Sequence, residues 1–573
     1  MSRYFEAHGK RKTQDLNGFW QFQTDPEDRG VTECWFCGLP AGDTVSVPSM
    51  WNNESGLLGY EGVAWYRREF VTEGGCLRFC FDGVMTEAEV WLDETPIGSH
   101  YGGFTQFDLI VPGVGAGRHA LTVRVDNRFD AYSIPQKKVD WYHYGGIHRD
   151  VRIETLRGIC VLNNELHYTL NAERDSIRAH FELELYNAAA EMVSSPLTAQ
   201  LGDETVLRGT VTLEAGEHIT WKTPDFRVND IHLWDTDDPY LYPIALETET
   251  DGLTDRTGFR TVEVKDGQVL LNDRPIELRG VNRHEEHPDW GFAFPPKLMR
   301  KDLDIICDLG CNTVRGSHYP NSQIFVDMLD ARGLLFWSEI PIWGCGFATE
   351  TLGDPAVVER GLAMHREMVK YYYNHPSIIL WGMHNEINSD TPEGYEMSKT
   401  YYRFLKEYGG NRIVTYASHK PMTDICLEFC DLICINLYLG WYSGKIADWD
   451  NFLDNFRARR EALGMSAKPV VISEFGAAAL YGQHTFDCVP WTEEYQAELF
   501  THCIELFHRD PMVVGCYIWQ FSDIRTCPEM GLNRARGFNN KGIVNEYRKP
   551  KVAFGAIRTL FHRYAEEEKT WKH

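Results

Sequence analysis

The chain has 573 residues, 43% of them hydrophobic and 13% aromatic, enough to bury several cores, and at about 150 residues per domain it predicts three or four domains. That composition excludes a disordered chain, a collagen-like fibre and a small disulfide scaffold. The net charge of −26 argues against nucleic acid as a partner, and it means that an anionic ligand must be met by a local basic pocket working against a repulsive field.

The first residues, Met1 to Asn17, are mixed and charged and lack the apolar core of a secretory leader. No apolar run approaches the roughly 18 residues of a membrane span. Fifteen cysteines, an odd number without a leader, predict reduced thiols and a cytoplasmic protein. Cys34 and Cys37 form the single CxxC, and without a second pair at metal spacing ordinary packing is the better reading.

The first 260 residues read as short strands. Leu77, Phe79 and Phe81 alternate with Arg78 and Cys80; Leu121, Val123 and Val125 alternate with Thr122, Arg124 and Asp126; Phe181, Leu183 and Leu185 alternate with Glu182 and Glu184. Period two separated by turn residues predicts antiparallel sandwiches with one face in and one out. A break near Leu156–Gly158 divides the region into a sandwich over 1–157 and a second, of immunoglobulin-like size, over 158–263.

From 264 to 573 the pattern alternates strand and helix. Strands are predicted at 276–283, 311–317, 334–339, 377–384, 412–417, 432–437, 469–473 and 513–520. Helices fall between them at 297–309, 321–332, 356–374, 395–408 and 491–508. Eight such units make a (β/α)8 barrel, whose chemistry sits where strands end.

Those ends bring Glu285, His318, Glu339, Asn385, Glu386, Tyr438, Glu474 and Trp519 to one mouth. No His/Asp/Glu set stands out as a metal cage, no phosphate loop and no nucleophile elbow is present, and no cofactor is called for. Paired carboxylates on opposed strands point to hydrolysis of a sugar by acid–base and nucleophilic chemistry. Position alone does not separate Glu285, Glu339, Glu386 and Glu474.

Longer motifs carry a resemblance. Trp65-Tyr66-Arg67-Arg68-Glu69-Phe70, Tyr144-Gly145-Gly146-Ile147-His148-Arg149 and Leu233-Trp234 with Pro239-Tyr240-Leu241-Tyr242 resemble the sandwich signatures of glycoside hydrolase family 2. Gly280-Val281-Asn282-Arg283-His284-Glu285, Ser317-His318-Tyr319-Pro320 and Asn374-His375-Pro376-Ser377 resemble its barrel signatures. The resemblance implies a jelly-roll sandwich, an immunoglobulin-like sandwich and a TIM barrel. It implies Glu386 as acid/base, Glu474 as nucleophile and Asn385 as the donor to the sugar 2-hydroxyl.

Within the family, Asn539-Asn540-Lys541-Gly542 resembles the N-x-K motif by which β-glucuronidases hold the sugar carboxylate. That implies hydrolysis of β-D-glucuronides with retention, with β-galacturonides or both epimers as the alternative and β-galactosides or a non-catalytic sugar-binding protein further off. Lys541 would supply the charge and the Asn539 amide a donor; a site so built rejects neutral sugars. Asp140, His318, Tyr438 and Trp519 would touch the sugar, and Tyr442 would shape the rim. The substrate is then a small glycoside, a uronide conjugate or an oligosaccharide end. The resemblance also implies a homo-oligomer, dimer or tetramer.

The sequence departs from the family in four places. Ile387 follows Glu386 where relatives have Pro, Ala478 replaces a polar residue, and Ile340–Pro355 is short, predicting an open mouth or a cover from a second subunit. Arg534 and Arg536 both stand where one arginine is expected. The segment 524–552 carries seven basic residues against Glu529 and Glu546, the cationic counterpoint to the global charge.

Overall fold

A computed structural model describes residues 3–40, 42–344 and 347–571. Part of the short 340–355 segment, Cys345 and Gly346, lies outside the described residues.

The N-terminal region is a sandwich of a four-stranded and a six-stranded sheet. Leu77, Phe79 and Phe81 meet Leu121, Val123 and Val125 in one core, as period two requires. The outward expectation fails for Arg78 and Cys80, both buried. Arg78 is covered because it pairs with Asp108 at 2.8 Å and Glu154 at 3.2 Å and donates to the Leu162 carbonyl of the next sandwich.

Val151–Leu156 ends the first sandwich, and Ile159–Leu170 opens two further four-stranded sheets. Between them Gly158 takes φ +58° with Thr250 close against it, a turn that a side chain would strain. Phe181, Leu183 and Leu185 fill this second core while Glu182 and Glu184 stay half-buried.

Eight parallel strands close the barrel: β1 (Leu278–Asn282), β2 (Thr313–Gly316), β3 (Leu335–Glu339), β4 (Ile378–Asn385), β5 (Ile413–Ser418), β6 (Ile433–Asn436), β7 (Val470–Phe475) and β8 (Val513–Ile518). Each falls on a predicted run. The five predicted helices form, and Asp448–Ala462 and Val552–Thr570 join them. No described helix is long and apolar enough to cross a membrane.

The first sandwich reaches the barrel mouth through an apolar cluster. Met50, Phe104, Trp141 and Tyr144 pack with Phe292, Tyr319, Trp343 and Ile524. Arg149 locks the same contact by pairing with Glu285 at 2.8 Å. Glu285 is therefore an interdomain strut and does not reach the cleft, which removes one of the four carboxylates.

Candidate active site

The largest described cavity, about 690 Å³, opens at the strand ends and is lined by Asp140, Glu386, Tyr438, Tyr442, Glu474, Ala478, Trp519, Asn539 and Lys541. Trp343, Trp441, Trp491 and Arg534 complete its walls. Nine of the ten predicted site residues are thus in or beside one cleft; His318 lies just beneath it.

Arg315, which the sequence reading passed over, organises the floor. From the middle of the apolar run of β2 its guanidinium donates to Glu339 at 3.0 and 2.9 Å, to Glu474 at 2.9 Å and to the Asn385 amide oxygen at 2.7 Å. Glu339 also meets His318 Nδ1 at 2.8 Å and is wholly buried. It is occupied as the anchor of Arg315, and burial holds its carboxyl above the usual range. Of the four strand-end glutamates, that leaves Glu386 and Glu474 facing the cleft.

The two are held differently. Glu474 accepts from Arg315 and, at 2.6 Å, from the Tyr438 hydroxyl. Glu386 accepts from the Asn436 amide at 2.8 Å and takes φ +52°, a conformation uncommon outside glycine and frequent at reacting positions. Behind it Gly344 packs on the backbone of Ile387, whose Cα would lie 2.1 Å from any added Cβ. That close approach fixes Trp343 against the end of β4.

Burial and the charge of Glu386 push Glu474 up to about 8, against Arg315 and Tyr438. A cation and a hydroxyl face Glu474 whereas a neutral amide faces Glu386, so negative charge is better stabilised on Glu474.

Two buried side-chain nitrogens at the site lack hydrogen-bond partners. The Asn385 oxygen is engaged by Arg315 and Asn436, leaving its Nδ2 unpaired. His318 Nε2 is also unpaired, 3.9 Å from Glu474, with its ring stacked on Trp519 at 5.1 Å. Burial lowers this imidazole well below its ordinary range, so it is neutral.

The opposite wall is cationic. Arg534 grips Asp140 at 2.7 and 2.6 Å and donates to Tyr442 at the rim. Arg536 instead pairs with Glu546 at 2.9 Å and faces away, which resolves the choice between the two arginines. Most cations of the 524–552 segment are neutralised: Arg548 by Asp302 and Lys551 by Asp523. Lys541 differs. It is 1% exposed, its ammonium donates to Asn539 Oδ1 at 3.0 Å, and no described carboxylate forms an ion pair with it. Burial and Arg534 lower it to about 7.

The Asn539 amide is placed differently from the sequence expectation. Its Nδ2 donates to Asp140 at 2.8 Å, so it joins Asp140 to Lys541 as well as offering a second N–H to the cleft.

The motif itself is held from behind. Lys551 Nζ donates to the Asn540 carbonyl at 3.0 Å, to the Ala479 carbonyl at 2.7 Å and to Asp523 at 2.8 Å, while Asp523 accepts from Gly542 N. Gly542 admits no side chain there, since a Cβ would lie 2.2 Å from Asp523 N. Lys551→Met strands Asp523 as a buried charge, so urea unfolding should show a loss of about 3–5 kcal/mol. A Lys551→Met/Asp523→Asn double variant should recover part of it, and a single variant as stable as wild type would remove Lys551 from this role.

The chain is similar to known proteins over nearly its whole length. Residues 262–565 match the model described as glycosyl hydrolases family 2, TIM barrel domain, and 164–260 match that of glycosyl hydrolases family 2. A β-galacturonidase from Eisenbergiella tayi, solved with galacturonate, is 32% identical with TM-score 0.92, covering 98% of this chain and 99% of its own. A Ruminococcus gnavus β-glucuronidase is 26% identical with TM-score 0.88, covering 98% of each chain. A Paenibacillus borealis β-glucuronidase is 26% identical over 97% of this chain and 98% of its own.

Proposed function

This chain belongs to glycosyl hydrolases family 2 and is a glycoside hydrolase, and from that premise we propose that it is a retaining exo-acting β-D-hexuronidase. The observation that carries the reading is the buried Lys541 ammonium, left without a carboxylate partner in the wall of a cleft whose floor holds Glu386 and Glu474. An ammonium so placed is costly unless a ligand supplies the anion.

Glu386 gives its proton to the glycosidic oxygen as the carbon–oxygen bond breaks, and Glu474 attacks the anomeric carbon to form a glycosyl-enzyme. Glu386, now ionised, takes a proton from water, whose oxygen displaces Glu474 and releases the sugar with its configuration retained. Arg315 and Tyr438 aim Glu474 and stabilise the negative charge it carries as nucleophile. Asn385 Nδ2 is free to donate to the 2-hydroxyl, and Lys541 with Asn539 meets the sugar carboxylate. Asp140, set by Arg534, accepts from ring hydroxyls, and Trp519 and Tyr442 pack the sugar face and rim.

Glucuronides are the substrate of the first reading. A second, galacturonides, is favoured by the higher identity and superposition of the galacturonate-bound structure and by Ala478, which gives the cleft wall no polar group. The epimers differ at C4, and a hydroxyl missing its partner there costs on the order of 10²-fold or more when the site's polar groups are left unpaired. Initial rates on p-nitrophenyl β-glucuronide, β-galacturonide and β-galactoside decide it. We expect both uronides to be cleaved well ahead of the neutral sugar; a galactoside preferred over both uronides overturns the hexuronidase reading.

A further inference from the structure

On the second sandwich, remote from the cleft, the geometry points to a transition-metal site built by His167, His180, Glu165 and Glu182. Strands Ile159–Leu170 and Ser176–Asn187 pair antiparallel in a register that sets Glu165 opposite Glu182 and His167 opposite His180. Period two places all four on one face, since the intervening Leu166, Phe181 and Leu183 lie in the core. The result is a half-buried square of two imidazoles and two carboxylates.

Without a cation the square is poorly satisfied. Like charges directly opposed across strands are destabilising, and Glu165 faces Glu182 in that way. The imidazole rings stack 5.0 Å apart with 3° between their planes. His167 Nδ1 pairs with the Tyr373 hydroxyl at 2.9 Å, the kind of outer hydrogen bond that orients a metal-binding histidine. Its Nε2 is buried without a hydrogen bond, 3.5 Å from Glu165 and 3.9 Å from Glu182. Ligand atoms of His167, His180 and Glu182 already lie within 4.8 Å of one another.

Tetrahedral zinc with bonds of about 2.0–2.2 Å needs ligand atoms about 3.3 Å apart, a closure that side-chain rotation supplies without moving the strands. Imidazole with carboxylate and no thiolate suits zinc, copper or nickel better than magnesium or calcium. The surrounding charges are Lys222, paired across from Glu182, and Asp225, which lies 3.5 Å from His180 and is itself paired with Arg178. The grouping Asp327, Asp330 and His375 differs because it is already filled: Arg3 pairs with Asp327, and His375 with Asp330. A metal in the square would tie the sandwich, through His167, to Tyr373 at the end of the barrel helix Pro355–Tyr372.

The test is a zinc chloride titration into the chelator-stripped full chain by calorimetry, with bound metal counted after dialysis. We expect one equivalent bound per chain, tenfold or more weaker in His167→Ala, His180→Ala and the milder Glu182→Gln, each with wild-type circular dichroism. His232→Ala, elsewhere on the same region, should bind as wild type does. Absence of a saturable equivalent, or undiminished affinity in the two histidine variants, overturns the site.

Discussion

Glu474→Ala should lose hydrolysis of an aryl hexuronide by at least about 10⁴-fold, the scale on which removal of a covalent nucleophile is felt, and sodium azide should restore part of the rate. Alanine leaves room on the face of the sugar that Glu474 occupied, and azide enters from that side. Glu386 still protonates the leaving oxygen, so the product is the α-glycosyl azide, inverted at the anomeric carbon. Glu386→Ala should behave in the complementary way. It costs about 10²- to 10⁴-fold, the range of general acid catalysis, least on substrates whose leaving group needs no proton. Azide then attacks the glycosyl-enzyme and the product is the β-azide, retained. Proton NMR of the products reads the two configurations directly. A β-azide from Glu474→Ala would exchange the roles, and unimpaired hydrolysis in either variant would remove that residue from the chemistry.

Much of the scaffold under this pair was legible because burial writes itself into short apolar runs. All eight barrel strands coincide with such runs, and the sandwich alternations place Leu77, Phe79 and Phe81 correctly. Helix Asp448–Ala462 left little trace, since only Trp449, Leu453 and Phe456 among its apolar residues turn inward along a polar stretch. Val552–Thr570 did carry a signal in Phe554, Ile557, Phe561 and Tyr564, spaced three or four apart.

The site was legible as motifs and not as connections. Arg315 stood in plain view as a charge inside a buried run, but its five partners sit on β1, β3, β4, β7 and the loop after β2, and only closure of the barrel assembles them. Arg534 became distinguishable from Arg536 through Asp140, nearly 400 residues earlier in the chain. Glu339 and Glu386 look alike at strand ends; Arg315 and His318 separate them by consuming the first. The histidine–glutamate square needed the strand register, which alternation cannot supply.

Lys541→Met should cost about 10²- to 10⁴-fold in kcat/KM on a hexuronide, the equivalent of the roughly 3–5 kcal/mol lost when one partner of a buried charge pair is removed. Methionine keeps the volume of the stem, so the effect belongs to the charge. The pH dependence should change with it. Burial and Arg534 hold Lys541 at about 7, below the usual ammonium range, so the charged form that the substrate carboxylate needs is complete below that value and lost as pH rises through it. In wild-type enzyme kcat/KM on a hexuronide should therefore begin to fall near 7. In Lys541→Met that fall should vanish. Rates on a neutral β-glycoside, however slow, should be little changed by the substitution. Proportional losses on charged and neutral sugars would mean that Lys541 acts by shaping the cleft, and the carboxylate would have to be met by Arg534 instead.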